Sequence, residues 1–524
     1  MKNFVHILFW FSFINCSFAQ GPSDLWTHTY GGSRSERANS LITTTDGGCI
    51  FVGSASSSNG DVIGLHSPFG WNYSDFWIVK LSSNGVMQWQ KCYGGTKSDN
   101  AFKIIQVSDG GYVIVGSSVS NDGDVTLHYG SDSFNDLWII KLDNFGNLLW
   151  QKTYGGYSED YACSVSETTD GGLVVAAILN ADYNGTVPVT YSDSMDYWVL
   201  KLNSVGEKLW ENHYGGENAD RAWSIKSTPD GGCIVVGQSA SHYGDVINSI
   251  GPFNAAISDY WIAKLSSTGV IEWQKSYGGL QGDWATSVSL TNDGGYIIAG
   301  NTNSNNTGTV TNFYGGVDGY IIKLNSVGSL EWEKCIGGSA NDYFNSIIQT
   351  IDGGYLVCGE TNSNDGDLAG LMAGDKAWIV KLSSTGTISW QRHYQEQPIY
   401  NAFNDIVQNT DGTCIAVGYL NLYADYDNYN IFAVKLGVNS LSNTEFNTFD
   451  IVFYPNAVDD ILHIQSSNHE VFKVINIYDV LGKKVNSFNL ENNSVNLESL
   501  QNGLYFVEIK NSLNQIFRKK ITKN

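Results

Sequence analysis

Helix material is scarce in this chain. Of 524 residues only 29 are Lys or Arg, against 57 Gly, 29 Tyr, 23 Phe and 16 Trp, a balance that favours strands and turns over helices. Proline is rare too, at 7 residues, so turns must rest on Gly, Asn, Asp and Ser. Cysteine gives no scaffold. Seven lie beyond residue 20 (Cys49, Cys92, Cys163, Cys233, Cys335, Cys358 and Cys414), an odd number without a Cys-x-x-Cys pair, which argues against a disulfide framework or a zinc ribbon. No segment after residue 20 approaches the roughly 18 uninterrupted apolar residues of a spanning helix. Catalytic signatures are missing as well: there is no Gly-x-Ser-x-Gly, His-Glu-x-x-His, P-loop or Rossmann fingerprint. With 13% aromatic residues the chain is nonetheless too rich in core material to be disordered.

The ends differ from the middle. Lys2, an apolar run over residues 4–14, and small Ser17 and Ala19 ahead of Gln20 read as a secretory signal peptide over residues 1–19. The formal charge is −23, yet the stretch from Phe446 onward is neutral, so the acidity belongs to the middle. A surface of that sign repels phosphate backbones, which makes nucleic acid and anionic lipid poor partners.

The middle repeats. A Trp recurs at 26, 89, 150, 210, 273, 332 and 390, at intervals of 58 to 63 residues. Tyr-Gly-Gly follows in five copies (first at Tyr30-Gly31-Gly32), then an acid, a turn Asp (46, 109, 170, 230, 293, 352 or 411), an apolar run such as Tyr112-Val113-Ile114-Val115-Gly116, a variable loop, and a run such as Trp77-Ile78-Val79-Lys80-Leu81. Asp-Gly turns tolerate the positive φ of tight hairpins, so each copy holds four strands. Runs apolar on both faces must be covered on both, which stacking of small sheets around an axis achieves. The last copy lacks its Trp strand, and the chain begins after residue 20 with an orphan one, Leu25-Trp26-Thr27-His28-Thr29-Tyr30. The expectation is an all-β, seven-bladed propeller over residues 20–437, its last blade completed by the first strand, with a linker at 438–448. An open solenoid is the alternative.

The final module, from residue 449, reads as a small β-sandwich. Its residues also carry a resemblance. Tyr454-Pro455-Asn456 near the start, Asp479 with Leu481-Gly482 in the middle, and Gly503 with Tyr505 followed by the basic Arg518-Lys519-Lys520 resemble the type A C-terminal sorting domain of the Bacteroidota type IX secretion system. Ala457 departs from the second Pro usual there. The resemblance implies a signal read at the outer membrane, partnership with the type IX machinery, and release or attachment to surface polysaccharide.

Candidate chemistry is mostly repeated. The acid before the first strand of each copy (Glu36, Asp99, Asp160, Asp220, Asp283, Asp342) either lines a cation-binding ring or accepts hydrogen bonds from turn amides. A second Asp (75, 136, 196, 259, 318) holds a loop end or pairs with a lysine such as Lys80 or Lys141. Asp-Gly loops at 58–62 and 121–125 suggest calcium but supply two or three of the about six to eight oxygens that it takes; no other cofactor is indicated. The loops after each second strand vary most and carry Phe69, Trp71, Tyr73, His128, Tyr129 and Phe253, the expected place for a partner. Arg37, Arg221 and Trp284 break the first-strand pattern but are too few to name a site. The functional expectation is a secreted or cell-surface binding, adhesion or structural module, with extracellular glycan as the partner. A glycosidase-like enzyme on the same fold is the alternative, since propeller glycosidases use two or three carboxylates.

Overall fold

The computed structural model describes residues 19–66, 73–129, 133–180, 195–252, 257–372, 374–395, 400–421, 428–438, 451–454, 457–466, 474–479, 483–490, 493–510 and 516–524. The expected signal peptide, apart from Ala19, and nearly all of the expected linker lie outside these residues. Two compact units divide the chain, at residues 439 and 440.

The first unit is a β-propeller of four-stranded antiparallel sheets. Its first blade runs Glu36–Thr43, Cys49–Ala55, Asp75–Leu81, Met87–Tyr93 from axis to rim. Five further blades repeat that order, the sixth with the short strand Ala19–Gln20 added in parallel outside Ile388–Tyr394. The seventh sheet takes Asn401–Gln408, Cys414–Asn421 and Tyr429–Leu436, and its rim strand is Asp24–Tyr30 from the other end of the domain. Trp26 pairs there with Lys435 and Tyr30 with Ile431, as the orphan Trp strand led one to expect. The seventh and first blades share one apolar cluster, in which Tyr30, Phe51 and Trp77 pack with Ile415, Val417 and Ile431.

Second and third strands are buried on both faces, because each sheet is sandwiched between two others. The hairpins at the base are fixed by the turn Asp. Asp46 Oδ1 accepts from Gly48 N at 3.1 Å and from Thr44 Oγ1 at 2.6 Å, while Gly47 takes φ +76°, open to glycine and strained for other residues. The same Asp holds the third-strand lysine: Lys80–Asp46 2.8 Å, Lys141–Asp109 2.7 Å, Lys323–Asp293 2.8 Å. This corrects the pairing of Lys80 and Lys141 with Asp75 and Asp136. Those Asp residues start the third strand and the lysines lie five residues on, about 17 Å away at the other end.

All seven cysteines beyond residue 20 are free, and Cys49, Cys233 and Cys414 are buried at the start of second strands. Among the described residues no helix is long and apolar enough to cross a membrane.

The second unit is a sandwich. Ile451–Tyr454, Ile461–Ser466 and Ser494–Asn496 form one sheet. Ala457–Val458, Ile516–Lys523, Gly503–Lys510, Val474–Tyr478 and Lys484–Asn489 form the other. Leu462, Ile464, Ile475, Ile477, Val507 and Ile509 make the common core.

Candidate ligand-binding pocket on the propeller axis

Each inner strand carries one irregularity at one place. The register with the second strand slips between its third and fifth residues in all seven blades, for example at Ala38/Ser40, Ala222/Ser224 and Phe403/Asp405. A bulge adds one unpaired residue and re-aims its side chain. Opposite it the second strand has Gly in six blades. A Cβ on Gly53 would sit 1.8 Å from Arg37 O, and on Gly237 1.9 Å from Arg221 O, so in these blades the bare position makes room for the bulge. The third blade has Ala177 there instead, for which the structure offers no account.

The bulged residues differ around the ring: Asn39, Phe102, Cys163, Trp223, Thr286, Asn345 and Asn404. Four of them stitch blades together. Asn39 Nδ2 donates to Ala101 O (2.8 Å), Thr286 Oγ1 to Phe344 O (2.9 Å), Asn345 Nδ2 to Phe403 O (2.9 Å) and Asn404 Nδ2 to Ala38 O (2.8 Å). The last bond ties the seventh blade to the first. Phe102, Cys163 and Trp223 make no such bond and leave an apolar arc on the other side.

Between these arcs lies a pocket of about 750 Å³. Two residues before each bulge stand the positions that include Arg37, Tyr161, Arg221 and Trp284, and all four line it. The three residues that break the repeat in sequence are thus brought to one cavity. Trp223 lines it too, 39% exposed, an unusual state for a Trp unless it waits for a partner. Arg37 lies over the rings of Tyr419 and Tyr429, 5.0 and 4.3 Å from their centroids, a cation–π arrangement that leaves its N–H edge free. Arg221 donates from Nε to Met195 Sδ at 3.2 Å. Neither guanidinium forms an ion pair with a described carboxylate. Glu360 is the one carboxylate among the described residues of the lining. Burial, and then the charge of Asp375, push its pKa up to about 7. The second strands end here (Ile178, Glu360, Tyr419), so the pocket is on the side of the blades where the long variable loops emerge.

Further along the inner strands the axis is charged. Asp405, 5% exposed, accepts from Lys103 Nζ and Ser40 Oγ at 2.8 Å, from Leu41 N at 3.1 Å and from Ser346 Oγ at 2.7 Å, so one side chain links the sixth, seventh, first and second blades. Its pKa is lowered: burial opposes this, but the Lys103 charge and the hydrogen bonds outweigh it. Burial, and secondarily Lys103, bring Lys226 down to about 8.

The repeated acids serve the blade junctions. Glu36 accepts from Gly32 N (2.8 Å) and Ser57 N (2.9 Å), and Asp99 from Gly95 N (2.8 Å) and Ser120 Oγ (2.9 Å), the turn-amide arrangement. In five junctions a second carboxyl meets the first across a glycine: a Cβ on Gly94 would lie 2.4 Å from Asp99 Oδ2 and 3.1 Å from Asp75 Oδ1. Desolvation raises such carboxyls, Asp99 and Asp318 to about 7 and Asp196 to about 8. The Oδ1 atoms of Asp75, Asp196, Asp259 and Asp318 have no hydrogen-bond donor among the described residues. Loop aspartates do turn work too, Asp61 Oδ2 accepting from Gly31 N and Asp122 Oδ1 from Thr96 N. Among the described residues no group of three or more His, Cys, Asp or Glu is placed to hold a metal ion.

Of the expected loop residues, Phe69, Trp71 and Phe253 lie outside the described residues. Tyr73 is exposed. The His128 side chain is 3% exposed and sits 2.8 Å from Asp136, which also accepts from Tyr129 N, so this pair anchors its loop. In the sandwich, Pro455, Asn456, Leu481 and Gly482 are likewise outside the described residues. Tyr454 is exposed, Asp479 Oδ1 accepts from Lys483 N (2.9 Å), Gly503 opens a strand, and Tyr505 donates to Gln501 O (3.0 Å).

Comparison with known proteins bears on both units. The propeller is similar in fold to the WD40 domain of Pan2 from Neurospora crassa (10% identity, 79% of this chain and 97% of that one, TM-score 0.42). A comparable likeness holds for Sqt1 from Chaetomium thermophilum (10% identity, 80% and 100%, TM-score 0.42). In sequence, 376 residues are 23% identical to the regulatory protein FlaEY of Caulobacter vibrioides, covering 65% of this chain but 38% of that protein; the chain spans well under half of this relative's length. Residues 452–524 match the family described as "Secretion system C-terminal sorting domain". With the motifs at Tyr454, Asp479 and Gly503 on the strands and turns of a closed sandwich, the C-terminal unit is a type IX secretion sorting domain, and the chain is an exported protein of the cell surface or the medium.

Proposed function

We propose that the propeller is an extracellular binding module that captures a saccharide in the axial pocket, after the sorting domain has directed its passage through the type IX machinery. One observation carries this reading: the residues that depart from the repeat converge on a single cavity. A scaffold needs the same residue at the same place in every blade, and the repeated acids, lysines and tryptophans meet that need. Arg37, Tyr161, Arg221, Trp223 and Trp284 do not, and together they give planar aromatic faces with hydrogen-bonding forks at their edges, in a pocket of about 750 Å³, within the usual range for small ligands. Aromatic rings with a polar rim suit the apolar face and hydroxyl edge of a sugar. The variable loops on the same side extend the surface that a longer glycan meets.

An enzyme of the same fold is the competing reading. Glycosidases use a pair of carboxyls about 5–9.5 Å apart, and Glu360 is the one carboxylate among the described residues of the lining. The test is a glycan array with the exported protein, followed by an assay for released reducing ends on every hit. Binding that is lost in Trp223→Ala and Trp284→Ala supports the reading. Binding to no saccharide overturns it, and turnover replaces it with the enzyme.

A further inference from the structure

We propose that the saccharide taken by this pocket is anionic, with carboxylate or sulfate groups held by Arg37 and Arg221 while its rings lie against Trp223 and Trp284. This rests on the binding reading above and specifies its ligand.

The argument starts from charge. The chain is strongly acidic, at −23, and an acidic surface ordinarily turns anions away. Its axis is the opposite. Arg37 and Arg221 line the pocket against one carboxyl, Glu360. Further along the same strands Lys103 and Lys226 stand against Asp405. Among the described residues two arginines and one carboxyl therefore line the cavity, whose walls focus the field.

Neither arginine is there for the scaffold. The same strand position holds Asn100, Tyr161, Trp284, Tyr343 and Ala402 in the other blades, all neutral, and those blades fold alike. Several buried lysines of the propeller have acidic partners, as Lys80 has Asp46 and Lys264 has both Asp230 and Glu272, while Lys376 and Lys435 donate to backbone carbonyls. Arg37 and Arg221 have no acidic partner among the described residues. Arg37 is braced instead by two tyrosine rings, and Arg221 by a thioether. Such contacts orient a guanidinium and leave its terminal N–H pair, which matches an oxoanion two at a time. Arg37 is exposed and Arg221 half-buried, so both heads are open to an incoming anion.

Position gives the arrangement. Arg37 is on the first blade and Arg221 on the fourth, three blades round the ring, so one acid group reaches one arginine and a ligand with acid groups on separate sugar units reaches both. Trp223, on the same strand as Arg221, and Trp284, on the fifth blade, line the same cavity. Duplex nucleic acid does not enter a cavity of this size, and the acidic exterior repels it.

The test is titration calorimetry on the exported protein at fixed ionic strength. Four tetrasaccharides serve as probes: galacturonan (carboxylate), carrageenan (sulfate), methyl-esterified galacturonan (same shape, no charge) and cellotetraose (neutral). The expectation is that one or both charged probes bind at least ten-fold more tightly than either neutral one, and more weakly as salt rises; which of the two wins tells carboxylate from sulfate. Arg37→Gln and Arg221→Gln should each weaken the charged probe ten-fold or more without lowering the melting temperature. Arg37→Lys and Arg221→Lys, which keep charge but lose the fork, should fall between. Glu360→Gln should strengthen the charged probe at pH 8 and leave it unchanged at pH 5.5, where the native carboxyl is already protonated. If the esterified or neutral probe binds as tightly as the charged ones and the glutamine variants bind like the parent, the ligand is neutral and this inference fails while the binding module stands. If no probe binds and a wider array finds no saccharide, both fail.

Discussion

Replacing Asp405 by Ser, and Lys103 by Ser, asks whether one ion pair locks the ring. Ser is what five other blades carry at this position (Ser40, Ser164, Ser224, Ser287, Ser346), so each change restores the repeat and neither introduces a misfit. Asp405→Ser removes a carboxylate that takes four hydrogen bonds from three other blades and leaves the Lys103 ammonium, 26% exposed, without its partner. Breaking a buried pair costs about 3–5 kcal/mol; the partial exposure of Lys103 puts this one near about 3 kcal/mol. Lys103→Ser leaves Asp405 charged at 5% exposure but still held by Ser40, Leu41 and Ser346, at a cost of about 2 kcal/mol. The double variant removes both charges and regains Ser in all seven blades, so it should lie within about 1 kcal/mol of the parent, because an absent pair strands nothing. The assay is urea unfolding at pH 7, followed by tryptophan fluorescence and by circular dichroism to check that the transitions coincide. A coupling of at least about 2 kcal/mol is expected. It should shrink below about pH 4: the folded pKa of Asp405 lies below its ordinary 3.8, so its contribution is present above that value and fades as pH falls through the folded one. Additive effects, or an Asp405→Ser cost under about 1 kcal/mol, would refute the reasoning.

Two further predictions concern stability. Deleting residues 24–30 should unfold the propeller at temperatures where the parent is native, since Tyr30 is part of the apolar cluster shared by the first and seventh blades; a truncated protein with the parent melting curve would show that ring closure is not needed. The junction carboxyls should make the protein less stable as pH rises from 5 to 8.5. Their folded pKa values are raised to about 7 or 8 by desolvation, so their contribution is full below the ordinary value near 3.8 and is lost as pH climbs through the folded one. Asp196→Asn should then stabilise at pH 8.5 and change little at pH 5, and equal effects at both would count against the pairing. The seventh blade already uses an amide here, Asn430 lying beside Glu36 at Gly31.

The blade unit was legible because it is written seven times: turn aspartates, glycines and tryptophans fall at one interval, and hairpin chemistry is local. The sorting domain was legible from its motifs. The pocket was not, for a geometric reason. Arg37, Arg221 and Trp284 stand out in the sequence as isolated departures, and only the ring puts the first, fourth and fifth blades around one cavity. Trp223 and Glu360 do not stand out in the sequence, because one reads as another blade tryptophan and the other as one acid among 52 Asp and Glu. A signal was present all the same. In the inner strand the residue after Ala or Phe runs Asn, Phe, Cys, Trp, Thr, Asn, Asn through the seven copies, a column more variable than its neighbours, and that column is the bulge. Of the two roles open to the second Asp, holding a loop end is the one taken, because strand length separates Lys80 from Asp75 and the hairpin delivers Asp46 in its place.

The seam in the seventh blade also bears on timing. Tyr30 and Ile431 pair directly although about 400 residues of chain separate them, and bringing such distant segments together is slow and entropically costly. Until Tyr429–Leu436 has been made and has emerged beside Asp24–Tyr30, every earlier blade can form yet the ring has no lock. For a protein that must cross membranes, that delay is useful: the segment that completes the structure is also the one that reports that the whole propeller has arrived.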